Sequence, residues 1–83
     1  MKYYRFYPTG GETEKAYVIE DYSKIRGYKS YVNVEGRTFS QPMPTLVFVP
    51  KSQCVVIDGK FYAKAWIAIK KRIVEFSDEI IDI

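Results

Sequence analysis

Polar and apolar positions alternate from the start of the chain. Between Lys2 and Tyr7, Tyr4 and Phe6 fall on one side and Tyr3, Arg5 and Tyr7 on the other, the two-residue period of a half-buried strand. Pro8-Thr9-Gly10-Gly11 ends it, and a second β-favouring run extends from Lys15 to Glu20. With turn residues between them, an antiparallel hairpin of these two runs is the expected connection. Residues 21–30 have no clear period. Tyr31 to Val34 and Arg37 to Ser40 then flank Glu35-Gly36, which predicts another hairpin with Gly36 supplying the positive φ of a two-residue turn. Gln41-Pro42-Met43-Pro44 reads as a loop, because prolines at alternate positions remove ladder donors.

Leu46 to Val49 is a short apolar strand that Pro50 bends, and Val55 to Ile57 resumes a buried strand. Asp58-Gly59 between apolar runs is the strongest turn signal in the chain, and Lys60 to Ala63 should pair back across it. Trp66, Ile69, Ile73 and Phe76 then recur at spacings of three, four and three, one face of a helix, with Lys64, Lys70, Lys71 and Arg72 mostly outward. The competing reading is one long strand from Phe61 to Ile69. Ser77 before Asp78 and Glu79 could cap a last turn, or the tail could pair as an edge strand through Ile80, Ile81 and Ile83.

These signals predict a single domain over residues 1–83 that is mainly β: a small bent antiparallel sheet or barrel of five to six strands with one short C-terminal helix. Closure into an OB-like barrel would protect the edges of so aromatic a sheet. Eight Tyr, five Phe and one Trp among 83 residues let a short chain bury much apolar area with few side chains.

Charge is unevenly distributed along the chain. All 13 Lys and Arg lie within residues 1–72 beside six acids, whereas residues 73–83 carry Glu75, Asp78, Glu79 and Asp82 and no cation. A basic body suits an anionic partner, and the acidic tail could shield it; an ordinary solvated surface has the same composition. One cysteine, Cys54, forms no internal disulfide and requires no oxidising compartment. No stretch has the roughly 18 apolar residues that span a bilayer, and Met1 to Tyr7 lacks the apolar run of a signal peptide. The expected location is the cytoplasm.

The residues point away from catalysis. With no histidine, the chain lacks the usual proton shuttle and the commonest transition-metal ligand. Cys54 has no activating base and reads as a strand residue, and Gly10-Gly11 precedes no phosphate-loop Lys-Ser/Thr. The expectation is a non-enzymatic protein with no cofactor, metal or catalytic residue. What remains is basic and aromatic residues sharing sheet faces: Tyr3, Arg5 and Tyr7 on the first strand, and Lys60 and Tyr62 on the strand after Asp58-Gly59. Such a face could stack bases on its rings and neutralise phosphates with its cations, as single-strand binders do, and nearby Lys51 would join it. Tyrosine beside Lys or Arg is equally ordinary on a solvated sheet face. A protein-binding surface is the alternative, formed by Tyr22, Arg26, Tyr28 and Tyr31. A third reading is a small-anion or nucleotide-binding homo-oligomer, since so short a chain has a small core.

Three pieces occur in a telling order: Glu14-Lys15-Ala16 leading into a strand, Phe48-Val49-Pro50-Lys51-Ser52-Gln53, and Ala65-Trp66-Ile67-Ala68 followed by Lys70-Lys71. In this the chain resembles small phage-encoded modules that carry the same three steps in the same succession, over about half its length. The resemblance implies a bacteriophage protein with a compact β-barrel, from a group often encoded near replication and recombination functions, and it implies no particular activity. Residues 21–40 stand as an insert relative to those modules. The resulting expectation is a phage accessory protein that binds single-stranded nucleic acid, with a phage inhibitor of a host or defence protein as the alternative.

Overall fold

The computed structural model describes residues 1–83 and is mainly β, with six strands in two antiparallel sheets and one short helix. Strands β1 (Lys2–Phe6), β4 (Cys54–Ile57), β5 (Lys60–Lys64) and β6 (Ile80–Asp82) form a four-stranded sheet in the order β4-β5-β1-β6. Strands β2 (Ala16–Val32) and β3 (Thr38–Pro50) pair only with each other. The mainly β class, the strand number and the one short helix are as expected, but the strands divide between two sheets, which do not close into a barrel.

Both turn signals mark hairpins, but only Asp58-Gly59 has the loop length expected. Asp58 (φ 51°) and Gly59 (φ 74°) both adopt positive φ, the two-residue turn that matches strand twist, and Val56 and Phe61 face each other across it. At the other hairpin the Gly36 N–H bonds the Asn33 carbonyl and the Asn33 N–H bonds the Arg37 carbonyl. With Gly36 at φ 81°, this is a three-residue loop closed by a left-handed glycine.

Several expectations are overturned. β1 does not form a hairpin with the run from Lys15 to Glu20: it pairs with β5 on one side and β6 on the other. The Pro8–Gly11 turn instead folds against the base of β2, where the Gly10 N–H bonds the Val18 carbonyl and the Val18 N–H bonds the Gly11 carbonyl. Residues 21–30 are strand rather than irregular chain, and Gln41–Pro44 is no loop, since Gln41 pairs with Lys29, Pro42 with Tyr28 and Pro44 with Ile25. A two-stranded ribbon tolerates these prolines because each strand has an open edge on which a missing N–H leaves no ladder bond unmade. The helix, α1, spans only Ala65–Lys70, directly after β5, with a 3-10 turn at Ile73–Glu75. Its buried side chains are Ile67 and Ala68, with Ile73 beyond, whereas Trp66 is 54% and Ile69 62% exposed. The strand-to-helix switch at Lys64 and Ala65 and the reversal at Arg72 (φ 59°) rotate the segment away from the face its spacing predicts.

The core lies between one face of the four-stranded sheet, α1 and the base of the ribbon. Phe6, Ile19, Val49, Ala63, Ile67, Ala68 and Ile73 form one buried cluster, lined by Tyr4, Tyr17, Val47, Cys54 and Phe61. Phe6, Tyr17 and Phe61 meet in tilted and edge-to-face contacts at 4.9–6.0 Å, geometries that aromatic quadrupoles favour. Beyond Asp21 and Thr45 the ribbon leaves the core. Eleven residues of β2 at about 3.3 Å each make an arm about 35 Å long, and the molecule measures 54 × 21 × 20 Å. No helix is long and apolar enough to cross a membrane.

Candidate nucleic-acid interface

The sheet face predicted to take nucleic acid is assembled as expected and then occupied from within. Tyr3 pairs with Lys64 and Arg5 with Tyr62 across β1 and β5, which puts these side chains on one face, opposite Tyr4, Phe6, Phe61 and Ala63. Tyr3 and Tyr62 are buried, however, at 8% and 3% exposure, so neither ring offers a stacking surface. The acidic tail closes over the others. β6 lies along β1, the Tyr62 hydroxyl donates to Glu79 at 3.1 Å, Arg5 donates to Glu79 at 3.4 Å and the Tyr7 hydroxyl donates to Asp78 at 2.6 Å.

These contacts tune the groups involved. Arg5 lies over the Tyr7 ring at 4.8 Å from its centre, a cation–π contact. The hydrogen bond to Asp78 raises the pKa of Tyr7, and burial followed by the Glu79 carboxylate raises that of Tyr62. Lys51 is bound to Glu12 and sits over the Tyr17 ring. Of the six predicted nucleic-acid residues, Lys60 alone is an exposed cation without an ion pair. Asp78 and Glu79 of the tail thus occupy Arg5, Tyr7 and Tyr62, and Tyr3 and Tyr62, expected to stack bases, are internal packing residues.

The other predicted set comes together on the arm. Tyr22, Tyr28 and Tyr31 are exposed, as are Ile25, Val32, Val34 and Phe39, and Arg26 lies among them. The Tyr31 and Phe39 rings, paired across the strands, stack at 5.4 Å and 20°. With the tail folded back, charge divides in space differently from how it divides along the chain. Residues 22–45 hold Lys24, Arg26, Lys29 and Arg37 against Glu35 alone, while the rest of the chain holds nine cations and nine acids. The arm therefore bears the whole net charge of +3. Arg37 lies 3.9 Å from Glu35, whereas Lys24, Arg26 and Lys29 have no ion pair.

Two irregularities shape the arm where it leaves the body. Asp21 pairs with Thr45 but Ile25 with Pro44, so Tyr22, Ser23 and Lys24 have no opposite number; a second shift between Ile25 and Gly27 leaves Arg26 extra. Bulges re-aim side chains and bend strands. This one is held by side chains: the Asp21 carboxylate accepts the Ser23 N–H at 2.9 Å and its hydroxyl at 2.5 Å, and the Thr45 hydroxyl donates to the Lys24 carbonyl at 2.6 Å. The bend leaves an open concavity of about 190 Å³ with Tyr22, Arg26, Lys29 and Gln41 on its wall and Pro42, Met43, Pro44 and Leu46 among its lining. Sequence reasoning missed this concavity because it requires Gln41–Pro44 in a strand.

Cys54 is half-buried at the start of β4, its thiol 3.3 Å from the Pro50 carbonyl, and burial pushes its pKa up to about 11. That is opposite to the shift that activates a nucleophile. No family model, curated protein or solved structure matches the chain.

Proposed function

We propose that this chain is a non-enzymatic phage accessory protein that binds single-stranded nucleic acid, and that it does so along the ribbon arm rather than on the four-stranded sheet. The observation that carries this reading is the confinement of the net charge to an exposed, aromatic-bearing arm on an electrically balanced body. Rings exposed beside unpaired cations give bases a stacking surface and phosphates a counter-charge. The phage assignment rests on the three-piece resemblance, and the three unpaired arm cations set the size of the expected salt effect.

The test is fluorescence anisotropy of a labelled mixed-sequence single strand at 50 and 200 mM salt. Three phosphate contacts at about 0.7 per contact in the log–log salt slope predict a loss of about 20-fold in affinity over that range. Binding that ignores salt, or no binding at either concentration, refutes the proposal. A second reading, a phage module that occupies a host protein, draws on the seven exposed apolar side chains of the arm. It predicts one stoichiometric protein partner in nuclease-treated lysate, lost when the arm is removed.

A further inference from the structure

We infer that the concavity at the bend of the arm is a nucleotide subsite, taking one unstacked base against its floor with the adjoining phosphate on Arg26 and Lys29. The inference rests on the arm being the nucleic-acid surface and names the chemistry it recognises there. The floor and walls combine what a nucleoside phosphate presents. Pro42, Met43, Pro44 and Leu46 supply the apolar part of the lining, the Gln41 amide offers both a donor and an acceptor to a base edge, and Tyr22 offers a ring on which a base can stack. Glu20, the one acid of the lining, accepts the Tyr22 hydroxyl at 3.4 Å and pairs with neither cation, so that Arg26 and Lys29 outweigh it and the lining stays net positive. At about 190 Å³ the cavity is below the roughly 300 Å³ at which sites for drug-sized ligands begin. It suits one ring rather than a large metabolite.

Position supports the same assignment. Tyr22 and Arg26 are residues that the two register shifts take out of the ladder, and the Asp21 and Thr45 hydrogen bonds hold that distortion in place. Lys29 and Gln41, a cross-strand pair, share a face with the Tyr31–Phe39 pair two positions further out. A strand with one base in the concavity therefore meets a second aromatic platform along the arm. The same chemistry comes from a nucleotide within a strand or from a free mononucleotide.

The experiment compares a labelled single-stranded 12-mer, the matching duplex and adenosine 5′-monophosphate. The proteins are the native chain, Arg26→Gln with Lys29→Gln, Tyr22→Ala, and a charge control, Lys70→Gln with Lys71→Gln, on the body. Thermal melts confirm that each is folded. The subsite predicts that the double pocket variant weakens the 12-mer at least tenfold and flattens the salt slope by about 1.4, two contacts at about 0.7 each. Tyr22→Ala should weaken it about five- to hundredfold, and the body control should have little effect.

Equal effects of the pocket and body variants overturn the subsite and the arm reading together, whereas salt-sensitive binding of the 12-mer that Tyr22→Ala leaves unchanged overturns the subsite and leaves the arm reading standing. Duplex bound as tightly as single strand also overturns it, because a paired base cannot enter the concavity. If the 12-mer fails to bind while the mononucleotide saturates the native chain and not the double variant, the subsite stands with a free nucleotide as its ligand and the strand reading falls. Binding of neither probe overturns both.

Discussion

Replacing residues 22–44 by Asn-Gly converts the long ribbon into a short hairpin closed between Asp21 and Thr45, which already face each other. None of the seven residues of the core cluster lies in the removed segment, so the body should keep its fold. The costs are local. The Ser23 hydroxyl bond to Asp21 and the Thr45 hydroxyl bond to the Lys24 carbonyl are lost, at about 1 kcal/mol each, while the new glycine N–H takes the place of the Ser23 N–H on the same carboxylate. Burial of Pro44 goes as well, and the ladder beyond the bend belongs to a two-stranded ribbon, which is marginal in isolation. Against this, shortening the connection from 23 residues to two recovers about 2 kcal/mol of closure entropy, at about 0.6 kcal/mol per halving. The two sides nearly cancel. At about 4–8 °C per kcal/mol for a domain of this size, Tm should stay within about 8 °C of the native chain by circular dichroism. The excised protein has no net charge left, and its affinity for a single strand should fall to the limit of detection by anisotropy. A body that fails to fold refutes the division into arm and core; a folded body that binds as before refutes the assignment of binding to the arm.

Three further predictions test the packing and the titrating groups. Ile73→Ala, at a fully buried position, should cost about 2–5 kcal/mol in urea denaturation, whereas Ile69→Ala, at 62% exposure, should cost less than about 1 kcal/mol; equal losses would mean that α1 packs on the face its spacing suggests. Cys54, with its thiol pushed up to about 11, should react with iodoacetamide at pH 8 on the order of a hundredfold more slowly folded than unfolded, and similar rates would show it to be accessible. The N-terminal amine donates to Asp82 at 2.8 Å and, chiefly through that hydrogen bond, lowers the pKa of its carboxyl. A carboxylate whose folded pKa is depressed contributes stability above its unfolded pKa and loses it as pH falls through the folded value, so Asp82→Asn should flatten the pH dependence of stability below about pH 4 in urea denaturation, and an unchanged acid limb would refute the contact.

Local chemistry decided what the sequence alone could decide. Asp58-Gly59 and Glu35-Gly36 each specify a turn, because few residues tolerate the positive φ that such turns require. Alternation along Lys2–Tyr7 settled which side chains of β1 share a face, because strand period is a property of the backbone itself. The mainly β class follows from the density of such runs, and the four arm residues Tyr22, Arg26, Tyr28 and Tyr31 stood out by composition before any of them had a place. Which strand each run would pair with was another matter. β1 takes β5 and β6, separated from it by about 55 and 75 positions, because Tyr4 and Phe6 can join the common core only from the middle of the four-stranded sheet. Only the tertiary structure decided that the acidic tail would occupy Arg5, Tyr7 and Tyr62 and that the charge would thereby be left to the arm. The prolines at 42 and 44 forbid a central strand but are admissible in a ribbon with open edges, and nothing local states that β2 and β3 have no other neighbour. Pairing partners and open edges are set by competition among the whole chain's surfaces for burial, and that competition, rather than any local motif, placed the candidate site on the arm.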